Sequence, residues 1–146
     1  MPTLSNILTS PEKKDIVVQD CCTLIDDEVA DKGGLSGFAI KAAYGAVKGI
    51  SPGFVRQVVG DLVPEFANAL QPIYDESVQK SQPIGTYVGS QSPRVANALL
   101  SITDQKATRS KSGVVKGAYD KLRPTAQKHV ESAVPRLAKL LAKHVG

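Results

Sequence analysis

The sequence is poor in the residues that most catalytic and metal sites use. It has two His, two Cys and no Trp among its 146 residues, with three Phe and four Tyr. The cysteines are adjacent, at Cys21 and Cys22, so they can form neither a disulfide framework nor the usual redox or zinc spacing. Neither His can be paired from sequence with a nucleophile and an acid. We therefore predict no catalytic residue, no metal site and no cofactor, and we expect that the protein is not an enzyme.

Long apolar runs are also absent. A membrane-spanning helix needs about 20 mostly apolar residues, and the best candidate, residues 35–50, is shorter and contains Lys41 and Lys48. The first eight residues show neither the basic start nor the apolar stretch of a signal peptide. We expect a cytoplasmic protein, and attachment to the surface of a membrane stays open.

The overall composition is that of one ordinary globular domain. Hydrophobic residues make up 42% of the chain and charged residues 22%. Domains most often hold roughly 100–150 residues, so a single domain over residues 1–146 is expected. Because aromatic residues are scarce, Ala, Val and Leu must fill its core.

Serine–proline pairs divide the chain into amphipathic helices. The pairs at 10–11, 51–52 and 92–93 each place a capping residue before a proline in the first helical turn. Apolar residues recur at helical spacing after each pair. Further helices are predicted over residues 35–50 and 114–145. The predicted fold class is all-α, a single-domain helical bundle of five to eight helices, several of them opened or bent by proline.

Two features interrupt this helical pattern. Residues 82–91, with Pro83 and two glycines, are predicted as the main break, and residues 106–113 as a polar loop. Prolines also fall inside periodic stretches, on the polar side of their helices, and each either bends its helix around the core or starts a new one. These internal prolines are Pro64, Pro124 and Pro135.

A weak internal repeat is visible. Residues 64–70 and 93–99 share Pro, Ala, Asn, Ala and Leu at matching positions. The spacing of the proline motifs is unequal, which argues against a solenoid with a fixed period. A proline-opened helix explains the match, and a degenerate duplication of a helical hairpin stays open.

Charge is unevenly distributed along the chain. Residues 1–76 carry six Lys/Arg and eleven Asp/Glu, a net charge of −5, whereas residues 77–146 carry twelve and three, a net charge of +9. Such asymmetry fits an acidic partner for the second half. It fits equally well an arrangement in which the two halves face each other, within one molecule or across a dimer.

The last predicted helix is basic and amphipathic. His144 falls on its apolar stripe and His129 at the edge, where a helix C-terminus favours His. Its basic face either stays solvated, lies on an anionic membrane or follows phosphates. No nucleic-acid motif accompanies it, so sequence-specific nucleic-acid binding is not expected. The basic face consists of Lys121, Lys128, Arg136, Lys139 and Lys143.

Glycines line one side of the second predicted helix. Gly33, Gly37, Gly45 and Gly49 are spaced in multiples of four, and a helical Gly costs about 0.8–1 kcal/mol relative to Ala. Small residues at this spacing let another helix approach closely. We therefore predict tight packing of Gly37, Gly45 and Gly49 against a neighbouring or partner helix, with a flat ligand or lipid chain as the alternative.

Several segments of the chain resemble a known family. Residues 1–5, 24–26, 34–37, 51–55 and 122–124 are similar to those of a small uncharacterised family of bacterial proteins that includes cyanobacterial members. The resemblance runs nearly end to end. It implies a bacterial, stand-alone helical protein, and it carries no activity, ligand or site residue.

Two functions follow from these features. The first is a non-catalytic helical interaction or scaffold protein, which assembles with itself as a homo-oligomer or binds an acidic protein surface through its basic C-terminal half. The alternative is a protein that binds a lipid, another lipophilic ligand or an anionic membrane surface. An internal apolar pocket would favour the alternative.

Overall fold

The fold is built from helices alone. The computed structural model describes residues 2–145, apart from the side chain of Ser36, and these residues form seven helices and no strand. The all-α prediction and the predicted number of helices are confirmed. The helices are α1 (Leu4–Leu8), α2 (Lys14–Asp31), α3 (Gly34–Lys48), α4 (Phe54–Gln79), α5 (Ile84–Ser90), α6 (Ser92–Arg109) and α7 (Gly113–Val145).

The predicted main break at residues 82–91 contains a helix, so that part of the prediction is wrong. Helix α5 buries Ile84, Tyr87 and Val88, which have the spacing of one helical face. Pro83 and two glycines obscure this pattern in the sequence. Helix α6 likewise continues into the predicted polar loop, which shrinks to residues 110–112.

The serine–proline pairs do not all start helices in the same way. Residues 10–13 form a turn in which the Lys14 N–H donates to the Ser10 carbonyl (2.8 Å) before α2 begins. A second turn precedes α4, where Gly53 adopts a left-handed conformation with φ +77°, which glycine tolerates without strain. Pro93 lies in the first turn of α6, as predicted.

The internal prolines lie within continuous helices and start no new ones. Pro64 and Pro72 are inside α4, and Pro124 and Pro135 are inside α7. All except the half-buried Pro64 are exposed. Since a proline removes one hydrogen bond from a helix interior, packing of α4 and α7 against the other helices must offset the loss.

Helices α4 and α7 organise the bundle without packing directly on each other. Helix α4 packs against α1, α2 and α6, and α7 packs against α3, α5 and α6, while α4 and α7 make few close backbone approaches to one another. The core therefore lies between these two long helices and is closed by the shorter ones. Its most buried side chains include Leu4, Val17, Ile73, Val95, Val134 and Leu141.

Across the described residues, none of the helices combines the length and the apolarity that crossing a bilayer demands.

Candidate ligand cavity

A cavity of about 390 Å³ lies between α4 and α7. Helices α2 and α6 contribute its side walls, and nearly all of its lining is apolar. Its volume is within the roughly 300–1,000 Å³ of ligand pockets. Representative lining side chains are Leu24, Phe66, Leu99, Val130 and Leu137.

The cavity arises from the small side chains that the sequence places along the two central helices. Ala67 of α4 and Ala126 and Ala133 of α7 all face it, where larger side chains would occupy the space. Phe66 is the one Phe, Tyr or Trp along the wall within the part of the chain described. Because few aromatic side chains line this space, part of the volume between the helices stays empty.

Four polar residues interrupt the apolar lining: Glu28, Lys32, Thr103 and His129. Lys32 Nζ donates to Glu28 Oε2 (3.0 Å) and to Ser132 Oγ (2.7 Å). A second cation reaches the same carboxylate, because Arg136 Nη1 donates to Glu28 Oε1 (2.8 Å). The Glu28 and Lys32 charges are therefore balanced at the seam between α2 and α7.

Thr103 is also hydrogen-bonded. Its Oγ1 donates to the Leu100 carbonyl (3.1 Å) and lies 2.8 Å from the Tyr119 hydroxyl. A second cavity of about 400 Å³ lies next to the first, and the side chains of Ile25, Val59 and Thr103 line both. This second cavity extends to Tyr44 and Tyr119.

His129 differs from the other polar lining groups. Its Nε2 is buried, and no residue of the described chain hydrogen-bonds to it. Burial lowers the pKa of His129, and the positive charges of Lys32 and Lys128 lower it further. The lowered pKa keeps the imidazole mainly neutral at pH 7, and its Nε2 is covered by surrounding atoms of the protein.

Cys21 lies in the cavity wall as an inert thiol. Burial raises the pKa of Cys21 to about 12, with smaller contributions from Cys22 and Asp20. Burial also raises the pKa of the less buried Cys22. Because the thiolate is the reactive form, neither cysteine has the environment of a nucleophile.

The predicted basic face of the last helix is divided by the structure. Arg136 binds Glu28 and Asp31 of α2, and Lys143 Nζ contacts Asp20 Oδ2 (2.9 Å). Three of the predicted residues are exposed and make no ion pair within residues 2–145. These three are Lys121, Lys128 and Lys139.

Ion pairs also connect the acidic first half of the chain with its basic second half. Arg94 binds Glu76 (2.6 Å), and Lys106 binds Glu65 (2.9 Å). Together with the contacts of Arg136 and Lys143, they show that the two halves face each other within one molecule. Part of the charge asymmetry is therefore satisfied internally.

Within the described residues the glycine face does not pack against a neighbouring helix, so the neighbouring-helix part of the prediction is wrong. An added Cβ on Gly37 would lie 2.6 Å from the Lys32 carbonyl carbon, and on Gly49 it would meet the Gly45 carbonyl oxygen at 3.4 Å. Gly45 has no such neighbour within 4 Å among the described residues. Gly37 is thus required because the backbone of Lys32, just before α3, passes too close for a Cβ. Packing of the glycine face against a partner stays a prediction.

The outer face of α3 is instead exposed and apolar. Leu35 is 92% exposed and Phe38 74% exposed. Small residues continue the same face towards the C-terminus of the helix, at helical spacing. They are Ala42, Gly45, Ala46 and Gly49, all exposed.

Comparison with known proteins places almost the whole chain in one family. Residues 4–145 match the Family of unknown function (DUF6918). The chain belongs to this family. No curated protein and no solved structure matches it. The resemblance to an uncharacterised family is confirmed, and bacterial origin stays a prediction.

Glu28, Lys32 and His129 were not predicted from the sequence as site residues. A signal was present for His129 alone, at the edge of an otherwise apolar helical stripe. Whether Nε2 finds a hydrogen-bond partner depends on the residues of the other helices that surround it. Helical periodicity does not show which residues those are.

Proposed function

We propose that this protein binds an elongated lipophilic molecule in the cavity between α4 and α7. The observation that carries the proposal is the cavity of about 390 Å³ with an almost wholly apolar lining. The pocket is partly open to solvent, and its walls offer water few hydrogen-bond partners. A lipophilic occupant would remove this apolar surface from water, which is favourable by roughly 25 cal/mol per Å².

An apolar pocket between the helices favours the ligand-binding alternative over the interaction protein that the sequence placed first. Binding of an acidic protein stays a proposal for Lys121, Lys128 and Lys139, because Arg136 and Lys143 are already paired with acids of α2.

A titration with the neutral fluorescent probe N-phenylnaphthylamine tests the proposal. The probe brightens in apolar surroundings, so the wild-type protein is expected to give a saturable increase. Ala133→Phe places a large side chain in the cavity and is expected to abolish the increase, whereas Ala30→Phe, on an exposed position of α2, leaves it unchanged.

Both variants are checked for helicity and thermal unfolding before titration. Ala126→Leu, which also fills the cavity, replaces Ala133→Phe if that variant does not fold. No saturable signal from the wild-type protein, or an equal signal from the filled and the wild-type protein, would contradict binding in this cavity.

The outer face of α3 supports a second candidate function, self-assembly. Large side chains occupy its first half, Leu35 and Phe38, and small ones its second half. An antiparallel pairing about Ala42 sets Phe38 of one copy opposite Ala46 of the other, and Leu35 opposite Gly49. Such a pairing is self-complementary, as a two-fold interface requires.

Sedimentation velocity tests this second candidate. The wild-type protein is expected to form a dimer and Phe38→Ser a monomer. Ile16→Ser removes an exposed apolar side chain from α2 (51% exposed) and serves as the matched control, which should remain dimeric. A monomeric wild-type protein at high concentration would exclude self-assembly through α3.

A further inference from the structure

We propose that the two cavities form one elongated site and that a single long-chain amphiphile occupies both, with its apolar chain in the first cavity and its polar end in the second. This inference rests on the proposed function, because it states how far along the bundle the bound molecule extends. It adds the second cavity of about 400 Å³ to the binding site.

The first argument is that the two cavities adjoin. Ile25 of α2, Val59 of α4 and Thr103 of α6 line both of them. The two spaces therefore share a boundary at side chains of moderate size that come from three different helices.

The second argument is the order of the lining residues along α6. Leu99, Leu100 and Thr103 line the first cavity, and Thr103, Ala107 and Ser110 line the second. From Leu100 onwards these positions recur every three or four residues, so consecutive turns of one helical face lead from one cavity to the other. At the rise of an α-helix, residues 99–110 extend over about 16 Å.

Helices α4 and α7 show the same progression. On α7, Val115 and Tyr119 line the second cavity, and the lining of the first cavity begins at Leu122, one turn later. On α4 the lining passes from the second cavity into the first between Val55 and Leu70, over about 22 Å of helix. Three helices thus place the two cavities end to end, which suits one extended molecule.

The third argument is the position of the polar side chains. The polar groups of the first cavity are bound to neighbouring residues or covered by protein atoms. Asp61, Lys106 and Ser110 line the second cavity and not the first. Because Asp61 and Lys106 are also exposed, a polar end in the second cavity keeps hydrogen-bond partners, which burial among apolar walls would remove.

Photo-crosslinking with two forms of hexadecanol tests the inference. One form carries a diazirine next to the hydroxyl group, and the other carries it near the methyl end of the chain. We expect the first form to label residues 103–119, around the second cavity, and the second form to label residues 126–141, around the first. Peptide mass spectrometry identifies the labelled residues.

A variant that fills the second cavity gives an independent measurement. Ala107→Phe is expected to keep the binding of N-phenylnaphthylamine in the first cavity. Hexadecanol, measured by displacement of this probe, should bind the variant about tenfold or more weakly, because part of its chain loses apolar surroundings. Ala30→Phe, on an exposed position of α2, is the matched control and should bind hexadecanol as the wild-type protein does. Val115→Phe, on α7, replaces Ala107→Phe if that variant does not fold.

The outcomes distinguish this inference from the proposed function. If neither the fluorescent probe nor hexadecanol binds to the wild-type protein, the proposed function fails. If the probe binds but hexadecanol does not displace it, if both forms of hexadecanol label the same cavity, or if Ala107→Phe binds hexadecanol as tightly as the wild-type protein, the inference is overturned while binding in the first cavity stands. Reversed labelling, with the hydroxyl end in the first cavity, would also overturn it.

Discussion

His129 makes a pH-dependent contribution to the stability of the fold. Its imidazole is partly buried against apolar walls, and burial together with Lys32 and Lys128 lowers its pKa. The folded state therefore binds a proton on His129 less readily than the unfolded state does. Stability contributed by this residue is present above the unfolded pKa of about 6.5 and is lost as the pH falls towards the lower folded value.

Acidification is accordingly expected to lower the melting temperature of the wild-type protein just below pH 6.5. In His129→Leu this first decline should be absent, leaving only the loss at lower pH. That later loss arises because Lys143 and Arg94 lower the pKa values of Asp20 and Glu76, the latter to about 2. Thermal unfolding at a series of pH values measures both declines in melting temperature. Identical curves for the wild-type protein and His129→Leu would contradict the attribution of the first decline to His129.

Cys21 gives a second prediction at this scale. Because burial raises its pKa to about 12, its thiolate fraction at pH 8 is roughly a thousandfold below that of a thiol with an ordinary pKa near 8.5–9. Iodoacetamide should modify Cys21 more than a hundredfold more slowly in the folded protein than in urea, as read by peptide mass spectrometry. Equal rates in the two states would show that Cys21 does not lie in the cavity wall.

Among the helices, α4 and α7 show how far sequence patterns reach. The serine–proline and apolar patterns predicted most helices, and the exposed side of Pro124 and Pro135 was foreseen. The sequence did not show whether these prolines would bend a helix or end it. Each costs about 3 kcal/mol in a helix interior, and packing against distant segments decides whether the helix continues. Helix α5 was missed for a related reason: its packing against α7 outweighs the effect of Pro83 before it and of its two glycines.

Replacing Pro135 is expected to stabilise α7. Alanine restores the N–H that can donate to the Glu131 carbonyl. Position 135 lies on the exposed side of the helix, so the smaller side chain removes no core packing. We expect Pro135→Ala to raise the free energy of unfolding by about 1–3 kcal/mol in urea denaturation. Pro93→Ala, in the first turn of α6 where proline is favoured, should give no gain, and a gain of the same size there would contradict this explanation.

The whole molecule is held together in part by contacts between its oppositely charged halves. The sequence gives the asymmetry of charge but not which acids meet which bases, since Arg136 lies far along the chain from Glu28 and Asp31. The cavity is unpredictable from sequence for the same reason: it is the space left when α2, α4, α6 and α7 come together. Its apolar, alanine-rich walls are visible as helical stripes, but the gap between them is not.

Arg136→Gln tests the charge contacts. The variant is expected to unfold at a slightly lower urea concentration than the wild-type protein at low salt, with a smaller difference at high salt, because the pair is exposed and screened. Lys139→Gln, on the same helix and exposed, is the control and should have no effect. Equal losses in both variants would indicate that net charge, rather than the contact with α2, is responsible.

Ligand binding is tested most directly by native mass spectrometry of the protein after incubation with a total lipid extract. We expect a complex heavier than the bare chain by the mass of one lipophilic molecule, which organic solvent removes and which Ala133→Phe fails to form. The bare chain mass alone for the wild-type protein, under conditions that preserve a known lipid complex, would contradict it.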